Sequence, residues 1–267
     1  MSPEAAEPRV EDHRIDAPGG GLFARAWHPG GAAGAPILLL HDSLGSVELW
    51  RDFPERLARA TGRVVAAYDR LGFGRSDPYP GTLPPDFIRA EAETVRLVAE
   101  RLGLGRPVLF GHSVGGGMAV GTAARWPALC AAVVTESAQA LVEAHTLAGI
   151  REAREAFARP GQVERLTRYH GDKARWVLDA WIVTWLDPAR AGWTLDDDLR
   201  RVTCPLLALH GDRDEFGSRA QPERIGALAA GPSEVVILEG CGHVPHRERP
   251  DAVLAALDRF LMREALT

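Results

Sequence analysis

Ser113 stands in the run VLFGHSVGGGMAVG (108–121), between glycines, after an apolar stretch and before small residues that can start a helix. A serine hydroxyl attacks a carbonyl poorly unless a base takes its proton, and the base works best when a carboxylate fixes its tautomer. Two later runs offer those partners, LHGDRDEF (209–216) and GCGHVPHRERP (240–250). Ser113, Asp214 and His243 make a candidate triad for acyl transfer, with Asp212 and His246 as rivals for the acid and the base. The competing reading of Ser113 is a polar residue in a glycine-rich turn, because G-x-S-x-G also arises by chance.

Such a triad needs three loops at one edge of a sheet. Six short apolar runs have the rhythm of βα repeats: 36–42, 63–69, 107–113, 131–137, 205–212 and 234–240. Most are continuously apolar, as parallel strands covered on both faces are. The run GLFARAWHP (21–29) reads as an alternating outer strand, so the sheet is expected to open antiparallel and continue parallel. In an open α/β sheet the carboxyl ends of the strands line the ligand crevice, which is where 113, 214 and 243 would meet. Helices are expected at 86–103, with Asp86 as N-cap and Gly103 as stop, and at 250–261, opened by Pro250.

Residues 138–200 break this rhythm, with helical patterning and no strand-like run. The expected organisation is a core from 1–137 and 201–267 with an inserted helical lid at 138–200. Trp176, Trp181, Trp185 and Trp193 fall in the insertion, and the first three have near-helical spacing. They form either an apolar wall over a pocket or the glue between lid and body.

The chain resembles the α/β-hydrolase superfamily. The resemblance rests on G-H-S-V-G at 111–115, on LLLHDSLG (38–45) where an H-G-x oxyanion loop is usual, and on YDRLGFGRSD (68–77). GHVPHRERP (242–250) and the order serine, acid, histidine complete it. It implies an α/β-hydrolase fold and a serine-nucleophile, esterase-like activity. The H-G-x-x-D pattern from His210 assigns the acid to Asp214, leaving Asp212 to brace the turn, and the glycine before His243 makes that histidine the base. The oxyanion hole falls to the backbone N–H groups of Ser43 and Val114. Asp42 departs from the usual glycine, and is expected either to bond local backbone or to tune the loop toward neutral rather than anionic acyl groups.

The residues assigned to a substrate pocket are Asp42, His112, Trp176, Trp181, Trp185 and His246. His112 is also read as a packed neighbour, its side chain directed away from the turn. Asp69, Gly72 and Gly74 are expected to shape a turn, Glu248 to brace the last loop, and Arg70 to serve structure. A serine at this position argues against epoxide opening and dehalogenation, which resemble each other in using an aspartate there. Carbon-carbon bond hydrolysis, a lyase step in cofactor biosynthesis, acyl transfer and a slow-turnover small-molecule receptor stay open beside ester hydrolysis. A metal-hydrolase reading from Cys241, His243 and His246, with Asp212 or Asp214, fits no common zinc spacing. No metal and no organic cofactor is expected.

Length and composition agree with a globular protein whose partner is a small molecule. The chain has 267 residues, enough for a sizeable core, and its formal charge of −5 offers no footprint for nucleic acid or an anionic membrane. An acidic, proline-bearing start argues against a secretory leader, and no segment approaches a membrane span. Three cysteines at irregular spacing do not make a disulfide framework, so a cytoplasmic setting is expected. Homo-oligomerisation stays open.

Overall fold

The computed structural model describes residues 7–264 and 266, so the acidic start at 1–6 lies outside the described residues. The strands are β1 (Arg9–Ala17), β2 (Gly20–His28), β3 (Ile37–Leu40), β4 (Val65–Tyr68), β5 (Val108–His112), β6 (Ala132–Glu136), β7 (Leu206–Gly211) and β8 (Ser233–Leu238). They form one sheet in the order β1-β2-β4-β3-β5-β6-β7-β8. β2 runs antiparallel to β1 and β4, and every pairing from β4 to β8 is parallel.

Helices α1 (Phe53–Thr61), α2 (Phe87–Arg101) and α3 (Val114–Arg125) connect the early strands. Four more lie between β6 and β7: α4 (Ala144–Phe157), α5 (Gln162–His170), α6 (Ala174–Leu186) and α7 (Asp196–Leu199). α8 (Ala220–Leu228), α9 (Pro245–Glu248) and α10 (Pro250–Arg263) complete the chain. Alternate residues of the central strands feed two cores, because side chains of a strand point to opposite faces. Ile37, Leu39, Val108 and Phe110 meet Leu57 of α1 and Leu257 and Phe260 of α10. Leu38, Leu40 and Leu109 meet Val95 of α2, Met118 of α3 and Ile225 of α8. No helix among the described residues is long and apolar enough to cross a membrane.

The expected outer strand is not outermost. β2 is buried on both faces by Leu22, Phe23, Ala24 and Trp27, and β1 covers its free edge. β1 reads RVEDHRIDA and fully buries only Ile15, so it carries almost no apolar signal. Charge is what an edge strand needs to stay soluble, and Asp12 of β1 accepts Arg25 Nε of β2 at 2.5 Å.

α4, α5 and α6 stack on one another above the carboxyl ends of the strands, and an antiparallel bridge from Leu141 to Thr194 closes the base of this segment. α7 packs instead on α3, and its buried Asp198 accepts Arg89 Nε of α2 at 2.6 Å. One imidazole ties α5 to the loops beneath. His170 Nδ1 accepts the Gly74 N–H at 2.9 Å, and Nε2 donates to the Leu44 carbonyl at 3.0 Å.

Beneath that tie, Asp69 directly follows β4 and holds two loops. Its carboxylate accepts the Val47 N–H at 2.6 Å and the Arg75 N–H at 2.7 Å. Gly74 is required here, since a Cβ at its φ of 46° would stand 2.1 Å from an Asp69 carboxyl oxygen. Asp69→Ala leaves two N–H donors without partners and is expected to cost about 2–4 kcal/mol. Urea unfolding checks this: a lower midpoint with an unchanged m-value is the expected result.

Candidate active site

Ser113 follows the last residue of β5 with φ 54° and ψ −122°, a backbone geometry that non-glycine residues rarely adopt. The strain persists because strand and helix are pressed together around it. A Cβ on Gly111 would lie 2.1 Å from the Gly115 carbonyl oxygen, and one on Gly115 would lie 2.2 Å from that of Leu40. The serine is thereby lifted out of the sheet, and the Val114 N–H sits in the first turn of α3, where helix amides lack intrahelical partners. The Ser113 hydroxyl contacts Gln139 Oε1 at 3.5 Å, too long to hold it firmly.

Asp214 and His243 come together from the loops after β7 and β8. His243 Nδ1 lies 2.8 and 2.9 Å from the two Asp214 carboxyl oxygens. Asp214 is buried, and Oδ1 also accepts the Phe216 N–H at 2.7 Å. Burial alone would raise the Asp214 pKa, but the His243 hydrogen bond and charge outweigh it and hold the carboxyl below its usual range. Burial likewise opposes the charged form of His243, yet the Asp214 bond and charge, helped by Glu215 and Asp42, raise its pKa above 6.5. Glu248 braces this loop as expected, accepting the Gly242 N–H at 2.7 Å and the Val244 N–H at 3.0 Å.

The loop after β3 is pinned through one carbonyl. Asp42 O accepts from His41 Nδ1 at 2.8 Å, Arg70 Nη2 at 2.9 Å and Gly45 N at 3.2 Å. A trans peptide points its C=O and the next N–H in opposite directions, so this cluster aims the Ser43 N–H away from itself. Arg70 is structural in this respect, as the sequence implied. The Asp42 carboxylate bonds no local backbone group among the described residues. It lies against Gly45, where a Cβ would stand 2.1 Å from Oδ1, and it lines the cavity.

A cavity of about 260 Å³ joins these parts. Ser113, His243, Asp42, Ser43 and Gln139 form its polar wall, and Ile150, Phe157, Trp181, Trp185, Phe216 and Val244 its apolar one. Three residues assigned to the pocket lie elsewhere. Trp176 stacks on Tyr79 and donates to the Gly81 carbonyl at 2.6 Å, because the turn after β4 reaches it first. His112 points below the sheet edge, its Nε2 2.8 Å from the His243 carbonyl, and burial lowers its pKa to about 4. His246 is buried beside it, Nδ1 2.6 Å from Glu136 Oε2, and faces no cavity.

The cysteine-histidine cluster weighed as a metal site is not assembled, since His243 turns to Asp214 and His246 to Glu136. Among the described residues, His112, Glu136 and His246 do bring ligand atoms within 4.8 Å of one another. Two of their ring nitrogens are already committed, to the His243 carbonyl and to Glu136, so the trio reads as internal support.

Sequence reasoning missed several residues here. Gln139 and Phe216 follow strands without a motif of their own, although Phe216 lies directly after the acid-bearing turn and its ring packs edge-on to His243 with centroids 4.8 Å apart. Glu136 ends an apolar strand, and a lone buried acid at that position was an available signal. His170 had only an H-G-D punctuation to mark it.

The profile of the alpha/beta hydrolase family matches residues 37–256. The chain belongs to that family. The human serine hydrolase BPHL is 30% identical over 195 residues, which cover 68% of this chain and 64% of that protein. A diacylglycerol lipase of Danio rerio, ABHD11, is 32% identical over 112 residues, 42% of this chain and 34% of its own. This chain therefore spans less than two thirds of the length of these curated relatives. A 2-hydroxy-6-oxo-6-phenylhexa-2,4-dienoate hydrolase from Rhodococcus sp. strain RHA1 superposes with a TM-score of 0.75 at 19% identity, covering 96% of this chain and 99% of that one. A thermophilic esterase from Thermogutta terrifontis gives 0.70 at 23% identity, covering 95% and 99%. At these identities the superpositions establish a common fold.

The raised His243 pKa can be read directly. Histidine NMR titration is expected to place its midpoint above 6.5, and Asp214→Asn to move it down by removing the carboxylate charge. A wild-type midpoint at or below 6.5 would contradict this electrostatic account.

Proposed function

We propose that the protein is a serine hydrolase that cleaves carboxylic esters of small, apolar or aromatic acyl groups through an acyl-enzyme. The observation that carries this reading is His243 Nδ1 bonded to both oxygens of buried Asp214, with strained Ser113 in the same cavity. Ser113 Oγ attacks the ester carbonyl while His243 Nε2 takes its proton and Asp214 stabilises the imidazolium. The N–H groups of Val114 and Ser43 hold the oxyanion, the first at a helix N-terminus and the second aimed by the pinned Asp42 carbonyl. His243 then protonates the leaving alcohol, and as base again it activates the water that deacylates Ser113. These steps need no metal and no organic cofactor.

Trp181, Trp185 and Phe157 supply apolar area for the acyl group, and the cavity suits one small substrate. In this reading α4, α5 and α6 act as a lid on the core formed by the sheet and its flanking helices. Three free cysteines support a reducing, cytoplasmic setting.

Stopped-flow hydrolysis of p-nitrophenyl acetate and butyrate tests the proposal, with mass spectrometry of the acyl adduct. A burst followed by steady turnover is expected, with Ser113→Ala losing about 10⁴- to 10⁶-fold in kcat. A stable adduct without turnover would point to a receptor or a non-ester reaction. Near-full activity in Ser113→Ala would remove the nucleophile assignment.

A further inference from the structure

The cavity wall carries two carboxylates, Asp42 and Glu215, and no lysine or arginine among the described residues. The two differ in setting. Glu215 is exposed at the rim, whereas Asp42 is part-buried in the loop beside Ser43. Among the described residues, the Asp42 carboxylate accepts no hydrogen bond and joins no ion pair. A carboxylate partly withdrawn from water and without a hydrogen-bond partner leaves a favourable place for a positive charge on the cavity side.

Of the protein's own groups lining the cavity, only His243 can face Asp42 with a positive charge, and only when it is protonated. His112 and His41 lie near, but burial keeps both largely neutral at pH 7, His112 with a pKa of about 4. Arg247 acts on Asp42 only from outside the cavity, its guanidinium bonded to the Leu49 carbonyl. Arg70 is likewise tied to the Asp42 carbonyl and stacked over Phe73 at 4.1 Å. The same cavity is lined by the indoles of Trp181 and Trp185. Indole rings attract cations, and Trp185 already carries the Arg190 guanidinium over its ring at 5.3 Å, which leaves Trp181 as the unoccupied one among the described residues.

We propose, building on the ester-hydrolase reading, that the site selects esters bearing a positively charged ammonium group, with Asp42 as the specificity-determining residue and Glu215 as a second anchor at the rim. Carboxylate-bearing esters meet the same charges and are rejected. The assignment names a substrate class, and it makes the unusual residue of this loop a recognition element.

The test uses matched p-nitrophenyl esters: 4-trimethylammoniobutanoate, its neutral isostere 5,5-dimethylhexanoate, and the glutarate monoester. A second pair, butyrylthiocholine and 3,3-dimethylbutyl thiobutyrate, carries the charge on the leaving group instead. The expected wild-type kcat/KM is at least about tenfold higher for the cation than for its isostere in one pair, and lowest for the anion. Asp42→Asn should collapse that ratio, and Glu215→Gln should reduce it less. Loss of the Asp42 charge also changes His243, but that acts on both members of a pair and cancels in the ratio.

If Asp42→Asn does not fold, inhibition of wild-type turnover by benzyltrimethylammonium and by neutral neopentylbenzene decides: equal inhibition overturns the inference, and tighter cation binding supports it. Ratios near one in both pairs, with neutral esters still turned over through Ser113, would refute the ammonium selectivity alone. Failure to hydrolyse any ester would remove the ester reading and this inference with it.

Discussion

The close approach of β3, β5 and the start of α3 is the constraint on which the site depends. With Gly111 against the Gly115 carbonyl and Gly115 against that of Leu40, no side chain can be accommodated between the layers. That contact holds Ser113 at positive φ, presents the Val114 amide, and sets where the loop after β3 begins. Strain at one residue is sustained by packing of well-formed elements on both sides of it.

Two histidine-carboxylate pairs lie side by side above this contact and have opposite characters. His243 and Asp214 open onto the cavity, while His246 and Glu136 are sealed beneath it. His112 lies between them, its ring centroid 5.1 Å from that of His243 and 5.0 Å from that of His246. Burial keeps the middle ring largely neutral, so it supports the loop through its bond to the His243 carbonyl without adding positive charge beside His243. Exposure to the cavity, more than residue type, separates the first pair from the second.

The parallel strands and the covering helices were legible because buried parallel strands are continuously apolar and their ends are punctuated by glycine, proline and aspartate. β1 was not, since an edge strand is stabilised by its neighbour's backbone and its sequence is free to be charged. The pairing of Asp214 with His243 followed from a short motif around each, as did the brace from Glu248. Trp176 and His246 were misplaced, and so was His112 as a pocket residue though not as a packed neighbour, because spacing along a helix or loop does not say which neighbour fills the space first. Tyr79, Trp50 and Glu136, all distant in sequence, decide those directions. Gln139 and His170 escaped notice for a related reason: each reaches partners far along the chain, Ser113 for the first and Leu44 and Gly74 for the second.

His170 joins three segments with one ring. Its two nitrogens are committed to the Gly74 amide and the Leu44 carbonyl, so the ring is neutral with its proton on Nε2, and burial favours that state. Leu44 stands one residue beyond Ser43, in the loop that Arg70 and His41 pin from behind. The helices above the cavity are thus latched to the loop after β3, and α5 cannot shift without giving up a bond to that loop. The position of α5 and the shape of the cavity wall at Ser43 and Leu44 are mechanically one variable.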